Sequence, residues 1–563
     1  MRLVVVGGVA GGMSCAARAR RLDETAEIVV LDRGNHVSFA NCGLPYYVGG
    51  EITERDALLV QTPASLRAAL NLDVRPRHEV IGLDAQARTV TVRSEDAIEE
   101  IGYDALVLSP GAQPVRPAIP GLDSLRVHTL RTVEDATGLE RIVSAGARRA
   151  VVLGAGFIGL EAAEALAARG VAVTVVELAD HVLPPLETEL ATLVRAELER
   201  LGITVADRVA ATAIEPGADH DTVVLGDGSR LPADLVVLSV GVRPDTAVFE
   251  AAGVTCERGA IVVDDHGRTN LPGVWAVGDA TVSTDPVTGL RRPVALAGPA
   301  NRAGRLVADD ILRPGTARPL PLPMGTAIVR VGQLTVALTG ANRTTLTDQG
   351  IAHHTVHLHP NQHAGYFPGA TPLHLVVHFA ADDGRLLGAQ AVGADGVDKR
   401  IDVLATALRN GMTATDLIDL DLAYSPPYGN AKDPITMAGL LGDNVLSGTT
   451  RLWYPWQLDE VMATALVLDT RSRTEFASGH LPGSLNIPHT ELRERLDEVR
   501  QAAAGRPVRV HCASGFRSYL AHRVLAADGF DSATLSGGML TLRAFLGARA
   551  EEVLETGELV SHG

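Results

Sequence analysis

Two cysteines in this sequence have neighbours that suit thiol chemistry. Cys42 lies in the stretch SFANCGLPYY, where glycine and proline predict a turn that exposes a reactive side chain. Cys512 lies in VRVHCASGFRS, between a predicted strand and a predicted helix. A thiol at a helix N-terminus has a lowered pKa, and the thiolate attacks sulfur–sulfur bonds. Both positions therefore predict redox or sulfur-transfer chemistry.

The remaining cysteines, Cys15 and Cys256, are expected to be small core residues. Four cysteines without any CxxC spacing predict neither a disulfide scaffold nor a zinc site, so no metal is expected. The same usage is typical of a reducing compartment and favours a cytoplasmic location.

A glycine loop near residue 154 is typical of dinucleotide binding. Gly154, Gly156 and Gly159 form GxGxxG between the predicted strand Ala150–Leu153 and a predicted helix, and Glu177 ends the next predicted strand. The glycines let the backbone approach a pyrophosphate, and the acid accepts from ribose hydroxyls. An acid without a neighbouring arginine favours NADH, with NADPH as an open alternative.

The N-terminal loop, GGVAGG, has the same position between a strand and a helix. Val9 replaces the middle glycine of the motif, but Asp32 restores the acid at the end of the next strand. Two dinucleotide units in one chain predict FAD together with a nicotinamide. The segment GVWAVGDA adds Asp279 as a contact to the flavin, although a turn or helix-capping aspartate is the alternative. The predicted FAD ligands are Gly7, Val9, Ala10, Gly11, Gly12, Asp32 and Asp279.

The bulk composition limits the choice of partner. The chain has 563 residues, of which 46% are hydrophobic and 21% charged, so it can form several well-cored domains. Its formal net charge of −17 argues against nucleic-acid and acidic-membrane partners, because both would repel it. No apolar run is long enough to span a membrane, and the apolar N-terminus is expected to be a buried strand rather than a signal peptide.

The first 445 residues or so resemble the pyridine nucleotide–disulfide oxidoreductases, in the single-cysteine branch that reduces coenzyme A disulfide. SFANCGLPYY is the most specific element of this resemblance. The dithiol relatives carry CxxxxC, whereas this chain has Tyr47 at the second position, which excludes an internal disulfide mechanism. The resemblance implies that Cys42 keeps half of its substrate as a mixed disulfide, which reduced flavin then resolves.

The resemblance also implies a coenzyme A site and a homodimer. Arginines and a lysine suit the nucleotide phosphates, although a solvated basic helix face explains Arg18 and Arg21 equally simply. Tyr366 and Tyr424 match residues that reach the cysteine from the partner subunit, and ordinary interface packing is the alternative. The implied coenzyme A ligands are Ser14, Arg18, Arg21, Ser38, Asn41, Asn301 and Lys432.

The C-terminal block, about 455–555, resembles a rhodanese domain. Backbone N–H groups of the CASGFR loop can cradle an anion and lower the pKa of Cys512. Four residues separate Cys512 from Arg517, whereas cysteine phosphatases have five, so the tighter ring suits sulfur. An inactive relic of the fold is the alternative. An upstream set is expected to be structural: Asp469, Arg471, Glu475 and His480.

The predicted fold class is α/β. It comprises two Rossmann-like dinucleotide-binding domains, an α+β dimerisation domain and a C-terminal α/β rhodanese domain. A Pro-rich stretch after residue 313 and the segment 447–455 mark two boundaries. The predicted domains are FAD-binding (1–118 and 244–318), NAD-binding (119–243), dimerisation (323–446) and rhodanese (455–560).

The predicted function is NADH-dependent, flavin-dependent reduction of small-molecule sulfur–sulfur bonds. The expected substrates are coenzyme A persulfide and polysulfide, with release of hydrogen sulfide, and coenzyme A disulfide. Cys42 would form the mixed disulfide and Cys512 would accept sulfane sulfur. Two alternatives stay open: NADH oxidase or peroxidase chemistry through a Cys42 sulfenic acid, and a non-enzymatic redox-sensing flavoprotein.

Overall fold

The computed structural model of the protein describes residues 1–557. Two compact units are present: residues 1–180 with 198–325, and residues 181–197 with 326 onward. The helix Thr188–Arg200 is divided between them, whereas the sequence places it in the NAD-binding domain. The four domain boundaries remain predictions, and residues 558–560 of the predicted rhodanese domain lie outside the described residues.

The first unit contains two parallel five-stranded sheets. Their central strands are mostly buried runs of aliphatic residues, as expected where helices cover both faces of a sheet. The first sheet has the order Val274–Ala276, Ala105–Leu108, Arg2–Val6, Glu27–Leu31 and Asp73–Arg75. The second has the order Thr204–Ala206, Ala172–Val176, Arg149–Leu153, Leu235–Leu238 and Val127–His128.

Smaller antiparallel sheets complete this unit. Two have three strands: Glu79–Asp84, Thr89–Arg93 and Ile98–Gly102 form one, and Ala211–Glu215, Asp221–Leu225 and Arg230–Ala233 form the other. The helices of the unit are Ala10–Leu22, Leu44–Val48, Pro63–Leu70, Val133–Ser144, Phe157–Ala168, Ala247–Ala251 and Ala297–Leu312. The first and last of these pack against each other, and both carry predicted ligand residues.

The second unit combines an antiparallel and a parallel five-stranded sheet. The antiparallel sheet has the order Ala327–Val331, Leu334–Gly340, Leu386–Gly393, Leu373–Ala380 and His353–Leu358. The parallel sheet has the order Leu452–Trp453, Ser532–Leu535, Val508–His511, Leu466–Asp469 and Leu485–Asn486. Its helices are Arg343–Asp348, Val397–Arg409, Ala414–Ile418, Pro434–Leu446, Leu458–Thr464, Arg473–Ala477, Leu496–Ala503, Phe516–Ala527, Gly538–Leu546 and Ala550–Val553.

Every strand–turn–helix segment that the sequence predicts around a glycine or cysteine loop is present. The strand predicted at Ala150–Leu153 is present and begins one residue earlier, at Arg149. Among residues 1–557, none of the helices has the length and apolar character needed to cross a membrane.

Candidate functional site

Cys42 lies on an exposed turn that is tied to the N-terminal glycine loop. The residue is in the 3-10 turn Asn41–Gly43, directly before the helix Leu44–Val48. Ser38 adopts the left-handed backbone region at φ 48°, and its N–H donates to the Gly8 carbonyl at 2.8 Å. Cys42 is a free, solvent-exposed thiol, which suits a nucleophile that must meet a dissolved substrate.

The groups around Cys42 do not lower its pKa. Desolvation by the surrounding protein raises the pKa of this thiol, and the negative charges of Glu161 and Asp279 raise it further. The following helix has only five residues, so its dipole is short. These protein groups alone therefore do not produce the lowered pKa that the sequence predicts for Cys42 beside an oxidised flavin and a helix N-terminus.

Arg131 is a site residue that the sequence motifs did not reveal. Its guanidinium donates to the Asn41 amide oxygen at 3.1 Å, and its backbone carbonyl accepts from the Asn41 amide nitrogen at 2.9 Å, in the amide orientation that satisfies both groups. The same guanidinium lies 3.9 Å from the Asp279 carboxylate. Arg131 follows the strand Val127–His128, so only the fold brings it to the cysteine turn.

Asp279 fits a flavin. Burial raises the pKa of its carboxyl, and Arg131 partly opposes that shift. Among residues 1–557 no side chain or backbone group donates a hydrogen bond to this carboxylate. A half-buried carboxylate that still needs donors suits the hydroxyls of a ribityl chain, and it suits a pyrophosphate poorly because the charges repel.

The N-terminal loop explains why Val9 can replace a glycine. Val9 directly precedes the helix Ala10–Leu22 with φ −114° and ψ −130°, so its φ lies outside the left-handed region that favours glycine. A Cβ on Gly12 would collide with the Gly7 carbonyl, so that position needs glycine for close packing. Asp32 accepts from the Gly8 and Gly34 N–H groups, each at 2.7 Å, and is thus held at the mouth of the loop.

The second glycine loop leaves a clear approach to its helix. A Cβ on Gly156 would meet no atom within 4 Å, whereas one on Gly159 would collide with the Gly154 carbonyl. The open position is the one at which a pyrophosphate would approach the helix Phe157–Ala168. Glu177 accepts from the Ala155 N–H at 2.6 Å, which fixes the acid beside this approach.

The implied coenzyme A ligands fall into different settings. Ser14 donates to Asn301 at 2.6 Å, so those two are brought together between the packed helices. Arg18 forms a close ion pair with Asp309 at 2.7 Å, which makes it partly a helix-packing residue. Exposed positions are occupied by Arg21, Asn301 and Lys432, and half-buried positions by Ser38 and Asn41.

Tyr366 and Tyr424 form an exposed aromatic pair. Their hydroxyls lie 3.3 Å apart, and the side chains are 77% and 49% exposed. That hydrogen bond raises the pKa of Tyr366. Phe367 and Tyr428 are exposed nearby in the sequence. So much exposed aromatic surface is unusual for a monomer and is typical of an interface.

Cys512 lies at the base of a backbone cradle. It follows the strand Val508–His511, and its side chain is only 1% exposed. The Gly515 N–H donates to its sulfur at 3.2 Å, with Gly515 in the left-handed region at φ 102°. The loop thus presents an amide to sulfur at the start of the helix Phe516–Ala527, which suits an anion or a terminal persulfide.

Arg517 is paired rather than free within the cradle. Both guanidinium nitrogens donate to Glu475, at 2.6 and 2.8 Å, and this pairing lowers the pKa of that carboxyl to about 2. Sequence reasoning expected a structural role for Glu475 but missed that it neutralises Arg517. Asp469 and Arg471 form a buried ion pair at 2.6 Å, and His480 stacks on Phe476, so these residues support the domain core.

The other two cysteines have no exposed thiol. Cys15 is fully buried in the first Rossmann core, and burial raises its pKa to about 12. Cys256 is half-buried at the edge of a neighbouring core cluster. Both settings agree with the small core residues expected from the sequence.

Comparison with known proteins identifies the core that carries Cys42. The profile of the pyridine nucleotide-disulphide oxidoreductases matches residues 1–304, and 448 residues are 35% identical to a curated relative. The chain belongs to this family. In this oxidoreductase, the dimerisation-domain profile of the family matches residues 326–434 and the rhodanese-like profile matches residues 455–543. The predicted fold class is thereby confirmed, and membership of the family implies FAD and NAD(H) as cofactors.

Several relatives resemble the oxidoreductase over most of its length. The 35% identity is to a coenzyme A disulfide reductase of Staphylococcus haemolyticus, across 78% of this chain and 98% of the relative. A solved Bacillus anthracis structure described as reduced CoADR-RHD is 39% identical, with a TM-score of 0.95 over 98% of this chain and 99% of the other. An NAD-dependent persulfide reductase from A. fulgidus is 37% identical, with a TM-score of 0.90 over 96% of this chain and 100% of the other.

Proposed function

We propose that this oxidoreductase uses NADH to reduce coenzyme A persulfide and polysulfide, with release of hydrogen sulfide, and also coenzyme A disulfide. One observation carries the proposal: Cys42 is an exposed thiol beside an FAD-type loop, and Tyr47 takes the place of a second redox cysteine. A single thiol cannot store two electrons as an internal disulfide. It must hold half of the substrate instead.

The first step is attack by the Cys42 thiolate on the substrate. With coenzyme A persulfide, the outer sulfur bonds to Cys42 and coenzyme A leaves as its thiolate. With coenzyme A disulfide, Cys42 keeps one coenzyme A and releases the other. No net electrons move in either exchange, because one sulfur–sulfur bond replaces another.

The second step restores the thiolate. Bound FAD would supply the two electrons that NADH provides. Two electrons and one proton convert the Cys42 persulfide into the Cys42 thiolate and hydrogen sulfide. In the disulfide reaction, the same electrons and proton release free coenzyme A. Asp279 would hold the ribityl chain, and Arg131 would anchor the cysteine turn through Asn41.

Coenzyme A recognition would use the exposed cations near the helix Ala10–Leu22. Arg21 is exposed and suits a phosphate, whereas Arg18 is already paired with Asp309. Ser14 and Asn301 would supply neutral hydrogen bonds, and Ser38 and Asn41 would lie close to the reacting end. Lys432 is proposed as a further phosphate ligand, carried by the dimerisation domain.

A homodimer would bring the tyrosine pair to Cys42 of the partner subunit. The exposed hydroxyls of Tyr366 and Tyr424 could then donate hydrogen bonds to the leaving thiolate. Both side chains are exposed in a single chain. This exposure supports the assignment, because an aromatic pair in solvent gains little from packing.

Cys512 would accept sulfane sulfur before the reductase discharges it. The sulfur would move onto the Cys512 thiolate as a persulfide, and then to coenzyme A or to Cys42. The Gly515 N–H that faces the Cys512 sulfur supports this role. The tether to the reductase core keeps the effective concentration of one site at the other high, provided that the geometry permits transfer.

A steady-state substrate screen tests the proposal. Coenzyme A disulfide, coenzyme A persulfide, polysulfide, peroxide and oxygen are compared with NADH and NADPH as donors. We expect NADH-dependent turnover of the three sulfur substrates, and we expect Cys42→Ser to bind FAD and NADH but to lose that turnover. Preferred turnover of oxygen or peroxide, or near-normal sulfur reduction by Cys42→Ser, would refute the proposal.

A further inference from the structure

The Cys512 loop is backed by a turn that carries two consecutive left-handed glycines. Gly537 and Gly538 have φ values of 69° and 65°. Just beyond them, the Met539 N–H donates to the Cys512 carbonyl and the Leu540 N–H to the Ala513 carbonyl, each at 2.9 Å. A Cβ on Gly538 would lie 2.7 Å from the Cys512 carbonyl oxygen. Residues 536–541, called the 536–541 turn below, comprise this turn and the start of the helix Gly538–Leu546. Their position therefore sets the position of the cysteine backbone.

The opposite side of the same turn is held by the antiparallel sheet. His357 donates its N–H to the Ser536 hydroxyl at 3.1 Å, and its Nδ1 is 2.7 Å from that oxygen. His359 Nε2 is 2.8 Å from the Thr541 hydroxyl. A Cβ on Gly537 would lie 2.7 Å from the His357 side chain, so the contact is close as well as polar. His357 belongs to the strand His353–Leu358 and His359 directly follows it, in the region that the family's dimerisation profile matches.

A buried polar network fixes these histidines in turn. His357 Nε2 is 2.6 Å from Glu189, and His359 Nδ1 is 2.8 Å from His374 Nδ1. These residues line a cavity of about 60 Å³, together with Thr541. The second Glu189 carboxylate oxygen has no hydrogen-bond partner among residues 1–557. Such a network is specific in geometry and intolerant of change, because unpaired polar atoms are costly in a buried site.

We propose that His357 and His359 are positioning residues for Cys512: through Ser536 and Thr541 they hold the 536–541 turn against the carbonyl groups of the cysteine loop. The inference rests on the proposed sulfur-accepting role of Cys512. It makes the dimerisation sheet part of the sulfur-loading site, although neither histidine touches the sulfur. The alignment of the Cys512 cradle then depends on three hydrogen bonds that cross from one sheet domain to the other.

Protonation of the buried histidines should weaken this arrangement at low pH. Burial holds the pKa of His359 well below its usual range, with His374 and His357 adding to the effect, and burial also lowers the pKa of His374. The bond between the two Nδ1 atoms needs one donor and one acceptor, so it is lost when both rings are protonated. The other charged or titratable groups around the turn and its histidines are Glu187, Glu189, Arg343, His378 and Tyr454.

The direction in which pH changes the docking of the turn follows from proton uptake. An undocked turn would leave His359 with an ordinary pKa of about 6.5, whereas the docked turn holds it lower. The undocked state therefore binds more protons below about pH 6.5, and docking weakens progressively as the pH falls. At neutral pH both histidines of the His359–His374 pair are uncharged and the turn is held.

The experiment uses the full-length holoenzyme and two independent measurements. One is hydrogen exchange of the peptide that carries the Met539 and Leu540 amides, corrected for the intrinsic pH dependence of exchange. The other is single-turnover formation of the Cys512 persulfide from polysulfide, followed by mass. Thr541→Val removes the hydroxyl at constant shape, and we expect exchange to be faster and loading slower by roughly tenfold each at neutral pH. In the wild type both quantities should change in the same directions between about pH 7.5 and about pH 5.5.

Three comparisons separate positioning from general damage. Thr541→Ser keeps the hydroxyl and should restore both quantities. His359→Gln cannot be protonated and should lose the acid response. Ser484→Ala removes a buried hydroxyl that bonds only within the rhodanese domain, to Leu481 at 2.6 Å, and should change neither quantity.

The outcomes are distinct. Wild-type exchange and loading in Thr541→Val at both pH values would overturn the positioning role. Failure of the wild type to form a Cys512 persulfide would instead count against the proposed function. The exchange measurements would still decide whether the histidines hold the turn.

Discussion

The charge environment of Cys42 makes a prediction at the scale of single residues. Glu161 raises the pKa of this thiol through its negative charge, after the larger effect of desolvation. Removing that charge in Glu161→Gln should lower the pKa and increase the thiolate fraction at neutral pH. Alkylation of Cys42 by iodoacetamide in the FAD-free protein, followed by peptide mass, should become several-fold faster at neutral pH.

Glu164→Gln is the matched control, because it lies one turn further along the same helix, Phe157–Ala168. The alkylation rate of the wild type should rise with pH, since a raised pKa means that the thiolate is lost early as pH falls. Equal rates in both variants and the wild type would show that Glu161 does not act on the thiol.

The pair formed by Arg517 and Glu475 predicts which sulfur donors the rhodanese-like domain uses. Glu475 neutralises the cradle arginine through two hydrogen bonds, and the exposed side chain at the loop, Phe516, is apolar at 68% exposure. A doubly charged donor such as thiosulfate should therefore load Cys512 poorly. Glu475→Gln should increase loading from thiosulfate several-fold relative to a neutral organic persulfide.

Glu491→Gln serves as the control, because Glu491 forms an exposed ion pair with Arg473 in the same domain. The measurement is Cys512 persulfide formation from each donor by mass. An unchanged ratio of the two donors in Glu475→Gln would mean that the pairing of Arg517 does not set donor preference.

Sequence reasoning found the residues that local motifs mark and missed those that only the fold assembles. Cys42, Cys512 and Asp32 each sit in a short pattern whose chemistry can be read from neighbouring positions. Arg131 and Glu161 approach the cysteine turn from elements far along the chain, with no motif of their own. The raised pKa of Cys42 was missed for the same reason, because its causes are not local.

At the scale of elements, the two glycine loops could be predicted from the sequence, because both the tight turn of the backbone and the approach of a pyrophosphate require glycine. A strand, a turn and a helix follow one another at both loops, as predicted. The helix Thr188–Arg200 falls within the predicted NAD-binding range, and most of it belongs to the second compact unit. Glu187 and Glu189, at its start, contact His378 and His357 of the antiparallel sheet, and no local motif predicts these contacts.

The open position in the second loop supplies a prediction for NADH binding. Gly156 has φ −74° and free space where a Cβ would lie, so Gly156→Ala should fold without strain. Its methyl group would occupy the approach of the pyrophosphate, so the KM for NADH should rise by roughly tenfold while FAD stays bound.

Gly138→Ala is the control, because its Cβ would also meet open space but on the separate helix Val133–Ser144. The KM for NADH and the thermal unfolding temperature are measured for both variants. An unaltered KM in Gly156→Ala would place the nicotinamide cofactor elsewhere.

At the scale of the whole molecule, the exposed aromatic pair links oligomeric state to chemistry. Tyr366 and Tyr424 contact each other within one chain, yet most of the surface of this pair stays exposed to solvent. If they serve Cys42 of the partner subunit, each active site of the proposed homodimer needs two chains. A dimer would then be required for turnover, not only for stability.

Mixed dimers test that dependence directly. One parent is Cys42→Ser, which keeps both tyrosines, and the other is the double variant Tyr366→Phe and Tyr424→Phe, which keeps the cysteine. Neither parent alone has a complete site. After equal mixing and subunit exchange, a heterodimer with tyrosines acting across the interface has one complete site. Activity should recover to about a quarter of the wild-type value, because about half of the dimers are mixed and one of their two sites works.

Tyrosines that act within their own chain give a different result, since no mixed dimer then contains a complete site and activity stays at the level of the parents. Tyr103→Phe replaces the tyrosine pair in the control mixture, because its buried hydroxyl belongs to the first unit, whereas the exposed pair belongs to the second. That parent should be active by itself, so the activity of its mixture with Cys42→Ser should equal the average of the two parents. Recovery confined to the first mixture requires both that the chain dimerises and that the tyrosines assist the sulfur leaving group from the partner subunit.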